Sequence, residues 1–254
     1  MLKFFKEYKY GLVLSGGAAR GFAHVGVLKA LHEKKIFPEI ISGTSAGAIV
    51  GAFYADGFEP EEIMEIFDRK KLFDLFRATF PRNGFFRING LQNLLKDNLR
   101  SKNIEDLKKK LIICATNIYE GKAEYFQKGN LVDAVIASAS IPVLFEVKKI
   151  DKTAFIDGGI MDNLPVEPVT DSCRKLIGVH VNPLGKITQA KGIASVAERA
   201  FHLAVASSLD TKKALFDIYI EPPALKKYGI LDLKKKDEIF QAGYKEALKV
   251  LVNK

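Results

Sequence analysis

Gly43-Thr44-Ser45-Ala46-Gly47 follows the apolar pair Ile40-Ile41 and runs directly into Ala48-Ile49-Val50. This G-x-S-x-G pattern demands a sharp strand-to-helix turn, because only small residues fit where the two elements meet. A strand feeding a helix in this way is a unit of an α/β fold. The turn also stands Ser45 at the helix N-terminus, where a serine has two uses. Its oxygen can cap the helix by accepting backbone N–H bonds. It can instead be a nucleophile, whose developing charge the helix dipole favours.

The rest of the chain alternates in the same manner. Tyr10 to Leu14 reads as a buried strand ending at Ser15-Gly16-Gly17. Beyond it Phe22, Val25, Leu28 and Leu31 recur at helical steps from Ala18 to Lys34. Pro60-Glu61-Glu62 opens a helix, with proline and acids in its first turn. Leu72 to Asn89 mixes five phenylalanines with Arg77, Arg82 and Arg87, broken by Pro81 and Gly84; it reads as a lid or interfacial patch, or as a loop packed on the core. A helix resumes near Leu91. Leu111 to Asn117 reads as a buried strand, Ala123 to Gln127 as an edge segment, and Val132 to Ser138 as a helix stopped before Pro142. Ala154-Phe155-Ile156 is a strand leading into Asp157. Lys175 to Val181 and Leu215 to Ile220 are later strands, and Ala194 to Lys213 and Asp237 to Val252 are amphipathic helices. The alternation predicts an α/β layered fold on a largely parallel sheet. No linker, composition break or repeat interrupts residues 1–254, so one domain is expected. Sites in such sheets lie beyond the carboxyl ends of the strands. Gly16, Ser45 and Asp157 each follow a predicted strand and can meet there.

Gly16-Gly17-Ala18-Ala19-Arg20-Gly21 resembles a phosphate cradle, but Ala18 occupies the second glycine of a dinucleotide fingerprint and no Gly-Lys-Ser/Thr closes the turn. The same turn suits an oxyanion hole, since N–H groups at a helix start point outward unpaired. For a base, Ser45 has the histidines His24, His32, His180 and His202 and the aspartate of Asp157-Gly158-Gly159. His180 lies within an apolar strand and His202 on a helix, where packed histidines are the common case. Asp157 ends a strand before two glycines, so it can approach a hydroxyl closely. Burial would raise its pKa toward that of a workable base.

Ser15-Gly16-Gly17-Ala18-Ala19-Arg20-Gly21, Gly43-Thr44-Ser45-Ala46-Gly47 and Asp157-Gly158-Gly159 together resemble the three signatures of bacterial patatin-like phospholipases. His24-Val25-Gly26-Val27-Leu28, Ala137 to Pro142 and Asp162-Asn163-Leu164-Pro165 add to the likeness, which runs from about residue 10 to 168. The resemblance implies a three-layer α/β/α sandwich and hydrolysis of lipid acyl esters through an acyl-enzyme. Ser45 would be the nucleophile and Asp157 the base. The amides of Gly16, Gly17 and Ala18 would hold the oxyanion, and Arg20 would shape the loop or meet a phosphate. Gly21, Gly43, Gly47, Gly158 and Gly159 would support the motifs. Neither metal nor cofactor is implied. One departure is Ala18, where glycine is the commoner residue; a positive φ there would put the oxyanion hole in doubt. Three other outcomes of the same fold are a general carboxylesterase, an acyltransferase, and a catalytically weak lipid-binding or regulatory protein.

The formal charge of +9 favours anionic partners, including a membrane surface touched peripherally. Its lysines fall in short scattered runs with no nucleic-acid motif, so nucleic acid is not an expected partner. Cys114 and Cys173 lack metal-ligand spacing and read as buried thiols of a reducing cytoplasm. The uncharged stretch Ile40 to Ala55 is 16 residues, short of a membrane span.

Overall fold

A computed structural model describes residues 7–69, 88–142, 144–185, 209–229 and 231–252, with 196, 199 and 203. The Phe/Arg segment, apart from its final two residues, lies outside these residues. So do His202 and most of the expected helix Ala194 to Lys213.

The strands are β1 (Tyr8–Leu14), β2 (Ile40–Thr44), β3 (Lys110–Asn117), β4 (Lys122–Phe126), β5 (Lys148–Ile150), β6 (Thr153–Asp157), β7 (Cys173–Val179) and β8 (Ile218–Ile220). They form one sheet with hydrogen-bonded order β5-β6-β3-β2-β1-β7-β8, and β4 pairs with β3. β3, β2, β1, β7 and β8 are parallel. The α-helices are α1 (Phe22–Glu33), α2 (Ala46–Ala55), α3 (Pro60–Arg69), α4 (Asn89–Asn98), α5 (Leu131–Ser138), α6 (Leu209–Lys213) and α7 (Lys236–Val252).

Alternation along each strand divides the core between two faces. Leu12, Leu14, Ile41, Ile113, Ile177 and Val179 join the larger core under α1, α2, α5 and α7. Their neighbours Val13, Ile40, Ile112 and Leu176 turn to a smaller core with Leu164, Val166 and Val169. Both faces are covered, so β2 is buried throughout and β1, β3 and β7 are buried from Gly11, Leu111 and Leu176 onward, as parallel strands require. α2 is buried on nearly every side because Ala, Gly, Val and Phe line it all round. The result is the mixed α/β fold expected of the sequence.

The sheet departs from expectation on one side. β6 runs antiparallel to β3, as do β4 to β3 and β5 to β6. Asp157 therefore does not reach the site from a third parallel strand. β4 takes one edge of β3 along Ile113–Asn117, leaving the other edge to β2 and β6. β2 ends with Thr44 opposite Cys114, and β6 arrives from the other direction to put Asp157 opposite Ala115. The two strands meet nearly head to head.

Candidate active site

Ser45 joins β2 to α2 with φ 53° and ψ −118°. That left-handed conformation costs an L-residue about 1–2 kcal/mol and persists only where the surroundings enforce it. Here the Ser45 N–H donates to Ser138 Oγ at 2.8 Å, and Ser138 Oγ donates to the Cys114 carbonyl at 2.5 Å. The Ser45 carbonyl accepts from Ile49 N–H at 3.0 Å, starting α2. Its hydroxyl makes no capping bond, so the capping use of this serine is not the one adopted. The flanking glycines are required by contact: a Cβ on Gly43 would lie 2.7 Å from the Gly47 carbonyl group, and one on Gly47 2.3 Å from the Leu14 oxygen.

Asp157 is buried and held through its backbone and one carboxylate oxygen. Its N–H donates to the Ser140 carbonyl at 2.9 Å, its carbonyl accepts from Thr116 Oγ1 at 2.9 Å, and its Oδ1 accepts from Gly159 N–H at 2.8 Å. The Ser45 hydroxyl acts on the same carboxylate and draws its pKa down. Burial pushes the Asp157 pKa up to about 6, against the opposing pull of the Ser45 hydroxyl and the Gly159 N–H. Both a proton acceptor and a hydroxyl donor are thus present, in a site where only desolvation raises the base. Thr44 Oγ1 donates to the Asp162 carbonyl at 2.8 Å, tying the end of β2 to the loop after Asp157. Lys212 and Tyr125 fix that loop further through the buried Asp162 carboxylate, at 2.7 and 2.8 Å.

The glycine turn faces Ser45: a Cβ on Gly16 would stand 3.2 Å from Ser45 Cβ, and one on Gly21 2.6 Å from Ala46 Cβ. Of the three amides expected to be free, that of Gly16 is engaged, donating to the Asn163 carbonyl at 3.2 Å. The amides of Gly17 and Ala18 have no hydrogen-bond partner among the described residues. Ala18 has φ 47°, the positive value that the sequence reading set against an oxyanion hole at this residue, and the departure from glycine is borne as backbone strain. The strain leaves the Ala18 N–H unblocked.

Arg20 is buried, and its Nε donates to the Tyr228 carbonyl at 2.9 Å and its Nη1 to Asn182 Oδ1 at 3.4 Å. Asn182 Nδ2 in turn donates to the Gly16 carbonyl at 2.7 Å. Arg20 therefore shapes the loop through Asn182 and Tyr228. His24 Nε2 lies 2.8 Å from the Ser15 carbonyl, His180 directly follows β7 and pairs with Glu221 at 2.9 Å, and His32 bonds Glu59 and Tyr54. Each of these three histidines is committed elsewhere than to Ser45. Thr116 and Asn182 escaped the sequence reading, and Ser138 and Asn163 stood in stretches that carried the resemblance without a role assigned to them, since these roles are long-range contacts that no local pattern encodes.

Ser45 opens onto a pocket walled by Ala18, Phe22, Ile49, Phe67, Phe145 and Leu233. Among the described lining residues Ser45 carries the one polar side chain. An apolar pocket with one hydroxyl in its wall suits a hydrocarbon chain that carries a carbonyl. Among the described residues no helix is long and apolar enough to cross a membrane.

Comparison with known proteins places this geometry in context. Residues 12–170 match the patatin-like phospholipase family. Lysophospholipase NTE1 of Kluyveromyces lactis is 30% identical over 270 residues, covering 92% of this chain and 18% of its own. Lysophospholipase nte1 of Emericella nidulans is 31% identical over 270 residues, with 92% and 17% covered. The chain thus spans less than a fifth of the length of these curated relatives. Among solved structures, VipD from Legionella pneumophila aligns with TM-score 0.57 and 17% identity, over 97% of this chain and 67% of its own. The type III effector protein ExoU aligns with TM-score 0.51 and 14% identity, over 97% and 53%. At such identities these structures are alike in fold.

Proposed function

The chain belongs to the patatin-like phospholipase family, and from that premise we propose that it hydrolyses carboxylic esters of lipids, lysophospholipids among them, through a Ser45–Asp157 dyad. The observation that carries this reading is the Ser45 hydroxyl, which lines an apolar pocket and acts on the buried Asp157 carboxylate strongly enough to draw its pKa down. The acyl chain enters the pocket and brings its carbonyl to Ser45 Oγ. Asp157 takes the hydroxyl proton as Oγ attacks, and the N–H groups of Gly17 and Ala18 receive the charge that builds on the carbonyl oxygen. Collapse of the tetrahedral species returns the proton to the leaving alcohol and leaves the acyl group on Ser45. Asp157 then deprotonates a water, which releases the fatty acid.

We read residues 1–254 as one catalytic unit, supported by the single sheet that runs from β1 to β8. The two buried thiols, Cys114 and Cys173, fit a reducing, cytoplasmic setting. The excess of positive charge fits peripheral contact with an anionic lipid surface.

The test is fatty-acid release from lysophosphatidylcholine, followed by mass spectrometry. Ser45→Ala and Asp157→Asn should each reduce turnover by about a thousandfold or more. Retention of wild-type turnover in either variant would refute the dyad.

A further inference from the structure

The glycine turn is too short to hold its own shape. Its Gly17 and Ala18 amides have no partner among the described residues, Ala18 is strained, and the hydrogen bonds that fix it come largely from elsewhere. One of these bonds differs in kind from the rest. Ser15 ends the approach from β1, and His24 stands in the first turn of α1, so the two residues bracket the turn. His24 Nε2 lies 2.8 Å from the Ser15 carbonyl, closing the bracket. Both residues are fully buried.

We propose that His24 is a positioning residue for the reaction: as a neutral ring with its proton on Nε2, it clasps the Ser15 carbonyl and so fixes the Gly17 and Ala18 amides relative to Ser45. The proposal rests on the reading of those amides as the oxyanion hole.

The tautomer follows from hydrogen-bond chemistry. A carbonyl only accepts, so Nε2 must carry the hydrogen. The other ring nitrogen, Nδ1, is buried with no partner among the described residues. As a bare acceptor it is tolerable there. As an N–H it would be an orphaned donor of a charged ring, which a buried site resists. Burial and the nearby His180 accordingly lower the His24 pKa to about 4, with the Ser15 bond opposing them. His24 neither reaches Ser45 nor lines the pocket, so it acts through the turn alone.

Glutamine can place an amide N–H where Nε2 sits, whereas leucine fills the volume with no donor. The experiment compares His24→Gln and His24→Leu on a soluble p-nitrophenyl ester, with Ser45→Ala and Asp157→Asn alongside and thermal melting to check folding. His24→Leu should lower kcat by about tenfold or more with KM within about twofold, a smaller loss than deleting an oxyanion donor outright. His24→Gln should recover kcat to within about threefold of wild type. Nitrogen-15 NMR of the unaltered protein at neutral pH should find His24 protonated at Nε2 alone. Wild-type kcat in His24→Leu, no recovery in a folded His24→Gln, or a proton on Nδ1 would overturn the proposal. Where His24→Leu fails to fold, His24→Gln and the NMR measurement decide it. Turnover surviving in Ser45→Ala or Asp157→Asn would instead bring down the underlying reading, whatever the His24 variants do.

Discussion

Thr44 and Asp157 sit opposite consecutive residues of β3, Cys114 and Ala115. Two strands approaching from opposite directions along one edge thereby bring their last residues together. Ser45 follows Thr44, so Ser45 and Asp157, the proposed nucleophile and base, are set side by side by backbone pairing before any side chain contributes. The cost appears elsewhere: a left-handed Ser45 and a desolvated carboxylate.

The first consequence is a pH profile. Asp157 accepts a proton only when ionised, and burial raises its pKa to about 6. Activity should be level above this value and fall about tenfold per pH unit below it. Titrimetric assay of a soluble ester checks this. A profile flat down to pH 4 would exclude Asp157 as the base.

The same shift bears on stability. The folded chain holds the Asp157 proton to about 6 against a reference value of 3.8. The folded state therefore binds that proton more tightly than the unfolded state. Its stabilising contribution is complete below about pH 4 and is lost as pH rises through about 6. Asp157→Asn, which mimics the protonated form, should be more stable than wild type at pH 8 by up to ~3 kcal/mol. The two should converge near pH 4. Urea denaturation at both pH values measures the difference.

Gly47 is a second pressure point. A methyl group there meets the Leu14 carbonyl at 2.3 Å, and backbone cannot step aside cheaply. Gly47→Ala should destabilise by about 3 kcal/mol or more. Gly51, where the added Cβ meets only the side chains of Ile41 and Leu111 at 3.1 and 3.2 Å, is the control, and Gly51→Ala should cost about 1 kcal/mol. Equal melting temperatures for the two variants would count against the packing of α2 on β1.

At Ala18 the expected sign is reversed. Glycine relieves the cost of φ 47° but adds freedom to the unfolded chain. The two nearly offset, leaving Ala18→Gly more stable by up to ~1 kcal/mol. Its kcat should stay within about threefold of wild type, since the N–H is the same in both residues. A large loss of kcat would mean that the methyl group itself, as part of the pocket wall, positions the substrate.

Much of this architecture was legible in the residues because local rules enforce it. The elbow around Ser45 needs small neighbours, so G-x-S-x-G marks it. β1 and β2 read as buried runs because both faces of a parallel strand are covered. The direction of β6 was not legible: five residues carry no mark of whether their partner is parallel, and only the register against β3 decides it. The engaged Gly16 amide was equally hidden, because its acceptor is a carbonyl far along the chain, at Asn163. Asn182 and Ser138 each act as a strut through two hydrogen bonds across the fold, and no local pattern states which distant groups such a side chain will join.

The dyad is tested most directly by treating the protein with a fluorophosphonate and mapping the adduct by peptide mass spectrometry. A single adduct on Ser45 is expected, forming at least about a hundredfold more slowly in Asp157→Asn. An adduct on a different serine, or an unchanged rate in the Asp157 variant, would contradict the assignment of nucleophile and base.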